Sequence, residues 1–163
     1  MRRWRRAGEG DLPAIARLSG RLLAGFPERD AVFAERLRLS PEGCHVLDGP
    51  SGIEGYILSH PWRRGEPPPL DTLLRSLPLH PDCWYLHDLG LAETARGTGA
   101  AAEIVGHLAV RAEEARLPVL ALVAVNRSAG FWSRQGFAPA TLAPGKSLQG
   151  YGPDAAYMER PVP

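Results

Sequence analysis

Arg96-Gly97-Thr98-Gly99-Ala100-Ala101-Ala102 stands between a run that reads as a strand, Trp84 to Leu91, and one that reads as a helix, Gly99 to Arg116, with Ile104, Val105, Leu108 and Ala112 at helical spacing. Its position gives the two glycines their meaning. Without side chains they let backbone N–H groups approach an anion closely at the start of a helix, where unpaired amides and the positive end of the dipole favour negative charge. A pyrophosphate is the natural guest, and the alanines keep the first helical turn free of bulk. Pro118 to Val125 follows as a buried strand, so this stretch is a βαβ unit.

Working upstream, Asp11 reads as an N-cap, Pro13 sits in the first turn, and Ile15, Leu18, Leu22 and Leu23 form an apolar stripe, which together predict a first helix. A second runs from about Asp30 to Leu39 and is stopped by Pro41 and Gly43. The period then changes to that of strands, and Cys44 to Leu47 and Ile53 to Ser59 make a hairpin about Asp48-Gly49-Pro50-Ser51-Gly52. The proline-rich stretch from Pro61 to Pro81 predicts irregular surface backbone, and a loop of that length usually serves a purpose. Downstream, Ser128 to Arg134 fits a short helix ended by Gly136. Phe137 onward returns to strand, and Ala155 to Glu159 forms the last one.

The chain of 163 residues, 44% hydrophobic and 23% charged with a net charge of +1, predicts one soluble globular domain over residues 1 to 163. A chain of this size buries on the order of 70% of its unfolded surface, so it needs neither disulfides nor a structural metal. Cys44 and Cys83 read as buried thiols, no Cys or His cluster has metal-ligand spacing, and a cytoplasmic location is the expectation. The longest apolar run, Val119 to Val125, is far short of the ~20 residues that span a bilayer, so no membrane partner is expected. Arg2, Arg3, Arg5 and Arg6 read as the exposed side of a first strand. With no second basic cluster, they do not predict a nucleic-acid partner.

Two phosphate-binding arrangements fit the glycine turn. Gly97-x-Gly99-x-x-Ala102 satisfies a dinucleotide-binding fingerprint, which also expects a carboxylate at the end of the next strand. Asn126-Arg127 stands there instead, and an arginine leaves a 2′-phosphorylated dinucleotide such as NADP open. About eighty residues nevertheless precede the turn and only one βαβ unit follows from it, whereas such domains open with the fingerprint.

The turn, the strand His87-Asp88-Leu89-Gly90-Leu91 before it, and the later segment from Asn126 through Phe131-Trp132 to Gly136-Phe137 together resemble the GNAT superfamily of acyl-CoA-dependent N-acetyltransferases. The first part is similar to the family's Arg-x-x-Gly-x-Gly/Ala phosphate loop. The second resembles its asparagine, short helix and Gly-Phe segment at nearly the usual distance, and the order of elements agrees over almost the whole chain. The resemblance implies an α/β fold with a mixed, mostly antiparallel central sheet that splays open at the cofactor strand and carries helices on both faces. It also implies acetyl-CoA as co-substrate, without a metal. Leu89, Gly90 and Leu91 would contact pantetheine, and Arg96, Gly97, Thr98, Gly99, Ala100 and Ala101 would cradle the pyrophosphate. Asn126, Phe131 and Trp132 would line the other wall. Many family members carry a tyrosine where this chain has Trp132, and an indole cannot protonate a departing thiolate.

Aminolysis of a thioester needs a neutral amine, and an alkylamine of pKa near 10.4 is neutral in roughly one molecule per thousand or fewer at pH 7. His87 is the candidate base, because imidazole titrates near the working pH and a regular strand would set it beside Tyr85 and Leu89, with Asp88 on the opposite face in an orienting role. Tyr151, between Gly150 and Gly152, is the candidate acid in place of the hydroxyl missing at Trp132. Tyr157 reads as core. Trp62, Glu66 and Asp71 of the proline-rich stretch are candidates to receive an amine-bearing ligand. The expected activity is transfer of acetyl to the primary amine of a small molecule or peptide by direct attack. The alternative is an acyl-CoA-binding sensor or regulatory module without turnover. A homodimer is a further expectation, drawn from the resemblance.

Overall fold

In a computed structural model that describes Met1–Pro163, the period-2 runs become seven strands, β1 (Arg3–Arg6), β2 (Cys44–Gly49), β3 (Gly52–Trp62), β4 (Cys83–Leu91), β5 (Val119–Ala124), β6 (Ala138–Pro139) and β7 (Ala156–Pro161). The helical stripes become four α-helices, α1 (Leu12–Leu22), α2 (Asp30–Leu39), α3 (Ala100–Glu114) and α4 (Ala129–Arg134). One sheet runs in the order β1-β2-β3-β4-β5-β7-β6. Every neighbouring pair is antiparallel except β4 and β5, which α3 connects as a parallel crossover. A single parallel pair excludes the doubly wound sheet of a dinucleotide-binding domain. No helix is long and apolar enough to cross a membrane.

Both faces of the sheet are covered. Ile15 and Leu18 of α1 and Phe33 and Leu37 of α2 pack on Cys44, Val46, Tyr56 and Leu58. Ile104, Val105 and Leu108 of α3, with Trp132 and Phe137, pack on Ile57, Trp84, Leu86, Leu120 and Leu122 of the other face. Each fully buried aliphatic side chain contributes about 1.5–3 kcal/mol, so these two layers carry most of the stability. Cys44 and Cys83 are free and buried, and burial pushes the Cys44 thiol up to about 12, which makes it inert. Asp11 stands at the N-cap of α1 as its position suggested, but its side chain makes no capping bond to that helix. Its carboxylate accepts the Gly8 amide at 2.8 Å and pairs with Arg5 at 2.9 Å instead.

The parallel pairing of β4 and β5 lasts only from Trp84↔Leu120 to Leu86↔Leu122. Beyond it β4 runs on to Leu91 paired with β3 alone, so the sheet parts at this point. A bulge starts there too. Leu58 faces Asp88 and Ser59 faces Leu86, which leaves His87 as the extra residue. The bulge corrects the alternation expected of a regular strand. Leu89 packs in the α3 layer with Trp84 and Leu86, while Tyr85 and Asp88 belong to the other face and His87 turns toward the segment that joins α1 to α2.

Pro61 and Trp62 belong to β3 rather than to the irregular stretch, and Trp62 is buried. The chain from 63 to 82 is irregular, as its prolines predicted, but it is held. Arg29 grips Asp71 through its amide at 2.8 Å and its Nε at 3.0 Å, the Glu35 carboxylate accepts the amides of Leu74 and Arg75 at 2.6 and 2.9 Å, and Arg36 donates to the Thr72 carbonyl at 3.1 Å. At its start, Gly65 donates its amide to the hydroxyl of Tyr157, a buried residue as its sequence context suggested.

Candidate active site

Where β4 and β5 part, a cavity of about 570 Å³ opens. Its walls are β4 from Leu86 to Leu91 on one side, and Leu122, Val123, Val125 and Asn126 with Phe131 and Trp132 of α4 on the other. Leu22, Leu23, Phe26 and Glu28 from the end of α1 and the segment after it, with Leu70 and Tyr151, form one end, and Arg96 lies toward the glycine turn at the other. Nine of the residues expected at a site therefore line one cavity: His87, Leu89, Gly90, Leu91, Arg96, Asn126, Phe131, Trp132 and Tyr151. Gly97, Thr98 and Gly99 stand exposed beyond its edge. The side chains of Ala100 and Ala101 are buried in the core, so only their backbone can serve a ligand.

Gly97 and Gly99 have φ of 73° and 85°, and a Cβ built on either would meet nothing within 4 Å. They are needed for backbone conformation rather than for space. The turn they make leaves the amides from Gly97 to Ala102 without any protein acceptor, at the N-terminus of a helix of 15 residues. Thr98 Oγ1 braces the turn on the Ala95 carbonyl at 2.6 Å, and Trp4 Nε1 donates to the Ala100 carbonyl at 2.9 Å. On the facing wall Asn126 and Arg127 have successive left-handed φ values of 52° and 60°. Asparagine tolerates that region and arginine seldom enters it, so the exit from β5 beside the cavity is a strained turn.

At the other end His87 Nε2 lies 2.8 Å from Glu28 Oε1, with side chains 2% and 4% exposed. Glu28 Oε2 accepts the Asp71 amide at 3.0 Å. Burial pushes the Glu28 carboxyl up, but His87, the Asp71 amide and the charge of Arg36 outweigh it and hold it below the usual carboxylate range. An anionic Glu28 fixes the imidazole proton on Nε2. It leaves the Nδ1 lone pair, buried and without a partner, as the free acceptor of a ring whose residue lines the cavity. The neighbouring Asp88 accepts the Tyr56 hydroxyl at 2.7 Å, and burial, only partly offset by His87 and that hydrogen bond, pushes its carboxyl up to about 6.

Tyr151 reaches this end of the cavity, but not from a free loop: it is buried, its hydroxyl donates to the Pro68 carbonyl, and burial pushes the phenol up to about 12. Trp132 stacks edge-on against Phe131 and Phe137 at centroid distances of 5.0 and 5.4 Å. The expected acceptor group of Trp62, Glu66 and Asp71 does not line the cavity. Trp62 Nε1 donates to the Glu66 carbonyl, the Glu66 carboxylate pairs with Arg63 and Lys146, and Asp71 is taken by Arg29. The residue that sequence reasoning missed is Glu28. Its only sequence signal is a carboxylate beside Pro27 between two helices, and its partner lies 59 positions away.

The sequence matches the model of the acetyltransferase (GNAT) family over residues 17–137, and the chain belongs to that family. It matches none of the curated proteins. Among solved structures, it superposes on Ard1 from Thermoplasma volcanium with a TM-score of 0.74 at 14% identity, covering 99% of this chain and 98% of that one. The ribosomal-protein-S18-alanine N-acetyltransferase from Escherichia coli gives 0.68 at 18% identity, with 99% and 94% covered. The loading GNATL domain of CurA from Lyngbya majuscula gives 0.80 at 12% identity, with 99% and 98% covered. At such identities the likeness is one of fold.

Proposed function

We propose that the protein transfers the acetyl group of acetyl-CoA to a primary amine by direct attack. The observation that carries this reading is one continuous cavity with two chemically distinct ends. Just beyond one end, the unpaired amides of the glycine turn suit a pyrophosphate, and at the other an imidazole with an unpartnered nitrogen suits an amine. The gap in the sheet fits the arm between them, since Leu89 to Leu91 offer β4 backbone on the side that β5 has left, and a peptide-like pantetheine can pair with it as a strand would. In the step itself the amine nitrogen attacks the thioester carbonyl, a C–N bond forms, and the C–S bond breaks with its electron pair leaving on sulfur. The ammonium proton passes to His87 Nδ1, and Glu28 stabilises the imidazolium. A thiol of pKa near 8.5 is a good enough leaving group to depart without an acid, so the hydroxyl of Tyr151 can stay on Pro68.

Solved relatives of the same fold are named for N-acetyl transfer to unlike acceptors, and an N-acetylglutamate synthase from Neisseria gonorrhoeae was solved with coenzyme A. The indole at Trp132 and the committed hydroxyl of Tyr151 favour a second reading, an acyl-CoA sensor without turnover. One experiment separates them. Calorimetric titration with acetyl-CoA, with NADP as control, is followed by thiol release over a panel of amines. Saturable binding with amine-dependent release supports transfer, binding without release supports the sensor, and no acetyl-CoA binding overturns both.

A further inference from the structure

The edge strand β1 has one large apolar side chain, and it reaches the glycine turn. Trp4 packs on Leu47, Ala95 and Ala100, and its Nε1 donates to the Ala100 carbonyl at 2.9 Å, in the first turn of α3. The approach to the turn is held from β3. There the buried Glu54 accepts the Thr94 hydroxyl on Oε1, takes Arg2 Nε and Nη2 on the same oxygen at 3.2 and 3.1 Å, and receives the Ala92 amide on its backbone carbonyl at 2.8 Å. The carboxylate has a place kept for it: a Cβ on Gly49 would fall 1.4 Å from its Oε2, so only glycine leaves the carboxylate where it is. The turn is thus tied on both sides, by Thr94 before the two glycines and by Trp4 after them. None of Arg2, Trp4, Glu54 and Thr94 lines the cavity. Gly97 and Gly99 permit the left-handed φ values, but glycine also has the most backbone freedom to lose. Amides that must converge on one anion bind it tightly only when they are held beforehand.

We infer that Trp4 and Glu54 are positioning residues of the glycine turn, which hold the amides from Gly97 to Ala102 ready for a pyrophosphate that they do not themselves touch. The inference rests on the coenzyme part of the transfer reading and deepens it by naming what sets affinity for that group. Trp4→Phe keeps an aromatic ring and removes the N–H. Thr94→Val removes the hydroxyl from an exposed residue and leaves Arg2 on Glu54. Calorimetric titration compares acetyl-CoA with S-acetylpantetheine, which has the same arm and thioester without the pyrophosphate, the weaker ligand being read by displacement. Each variant is expected to raise the Kd of acetyl-CoA by about threefold to tenfold and to leave that of S-acetylpantetheine within about twofold of wild type. Unchanged acetyl-CoA affinity in a folded variant, or loss of affinity for both ligands alike, overturns the inference and leaves the transfer reading standing. Should Trp4→Phe fail to fold, Thr94→Val decides by the same comparison. A wild type that does not bind acetyl-CoA overturns the coenzyme reading and this inference with it.

Discussion

His87 owes its position to one extra residue in β4, and its chemistry to a carboxylate from another element. Replacing it with glutamine keeps a hydrogen bond to Glu28 but removes the open ring nitrogen. The expected result is a fall in kcat/KM of about 10² or more with acetyl-CoA affinity unchanged, read from steady-state kinetics and calorimetry on the same preparation. Asp88 gives a prediction in stability. Its carboxyl titrates at about 6 in the fold against 3.8 in the unfolded chain, so the native state binds the proton more tightly and this residue costs stability as pH rises from about 4 through about 6. Asp88→Asn should therefore be no more stable than wild type at pH 4 and more stable by up to about 3 kcal/mol at pH 7 in urea melts. At this scale the sequence disclosed His87 as a candidate through residue type and place. It hid the bulge, because a bulge is a property of two strands paired and cannot be seen in one. Glu28 was hidden for the same reason of distance.

The elements that could be read were those whose signal is local. The stripes of α1 and α3, the hairpin of β2 and β3 and the glycine turn each sit within about fifteen residues, and each appears where its pattern placed it. Pro61 misled because a proline in a strand interior is normally excluded. β2 ends at Cys44 opposite Leu58, so at Pro61 the strand has β4 as its only neighbour, and the missing N–H interrupts no ladder on the open side. The glycine turn can be tested as an element. Gly99→Ala forces a left-handed φ of 85° on a residue with a Cβ, at a cost of about 1–2 kcal/mol. That should lower Tm by roughly 2–4 °C for each kcal/mol and weaken acetyl-CoA binding as the amides turn away. Gly90→Ala tests the opposite wall. Its new Cβ would fall 2.5 Å from Tyr56 Cε1, so overpacking should cost about 1–3 kcal/mol in denaturant melts and disturb the hydrogen bond that Tyr56 gives Asp88.

Across the whole molecule, acid acts through histidines kept neutral. Burial pushes His60 down to about 3 and His45 down to about 4, the latter helped by His107 and nearby arginines. Unfolding frees both to bind protons at about 6.5, so below that pH each subtracts about 1.4 kcal/mol of stability per pH unit, down to its folded value. Asp88 opposes them between about 6 and 4. In that window the slope of Asp88→Asn should exceed that of the wild type by about one proton, as pH-dependent urea melts would report.

Glu28 joins these scales, because one of its oxygens holds the His87 ring and the other the backbone of Asp71, in a segment that α2 clasps from Arg29 to Arg36. The stretch from 63 to 82 cannot lift from α2 without loosening the partner of the imidazole. Opening of this end of the cavity and release of the His87 ring are then a single event, because Leu70 of that stretch lines the cavity beside Glu28.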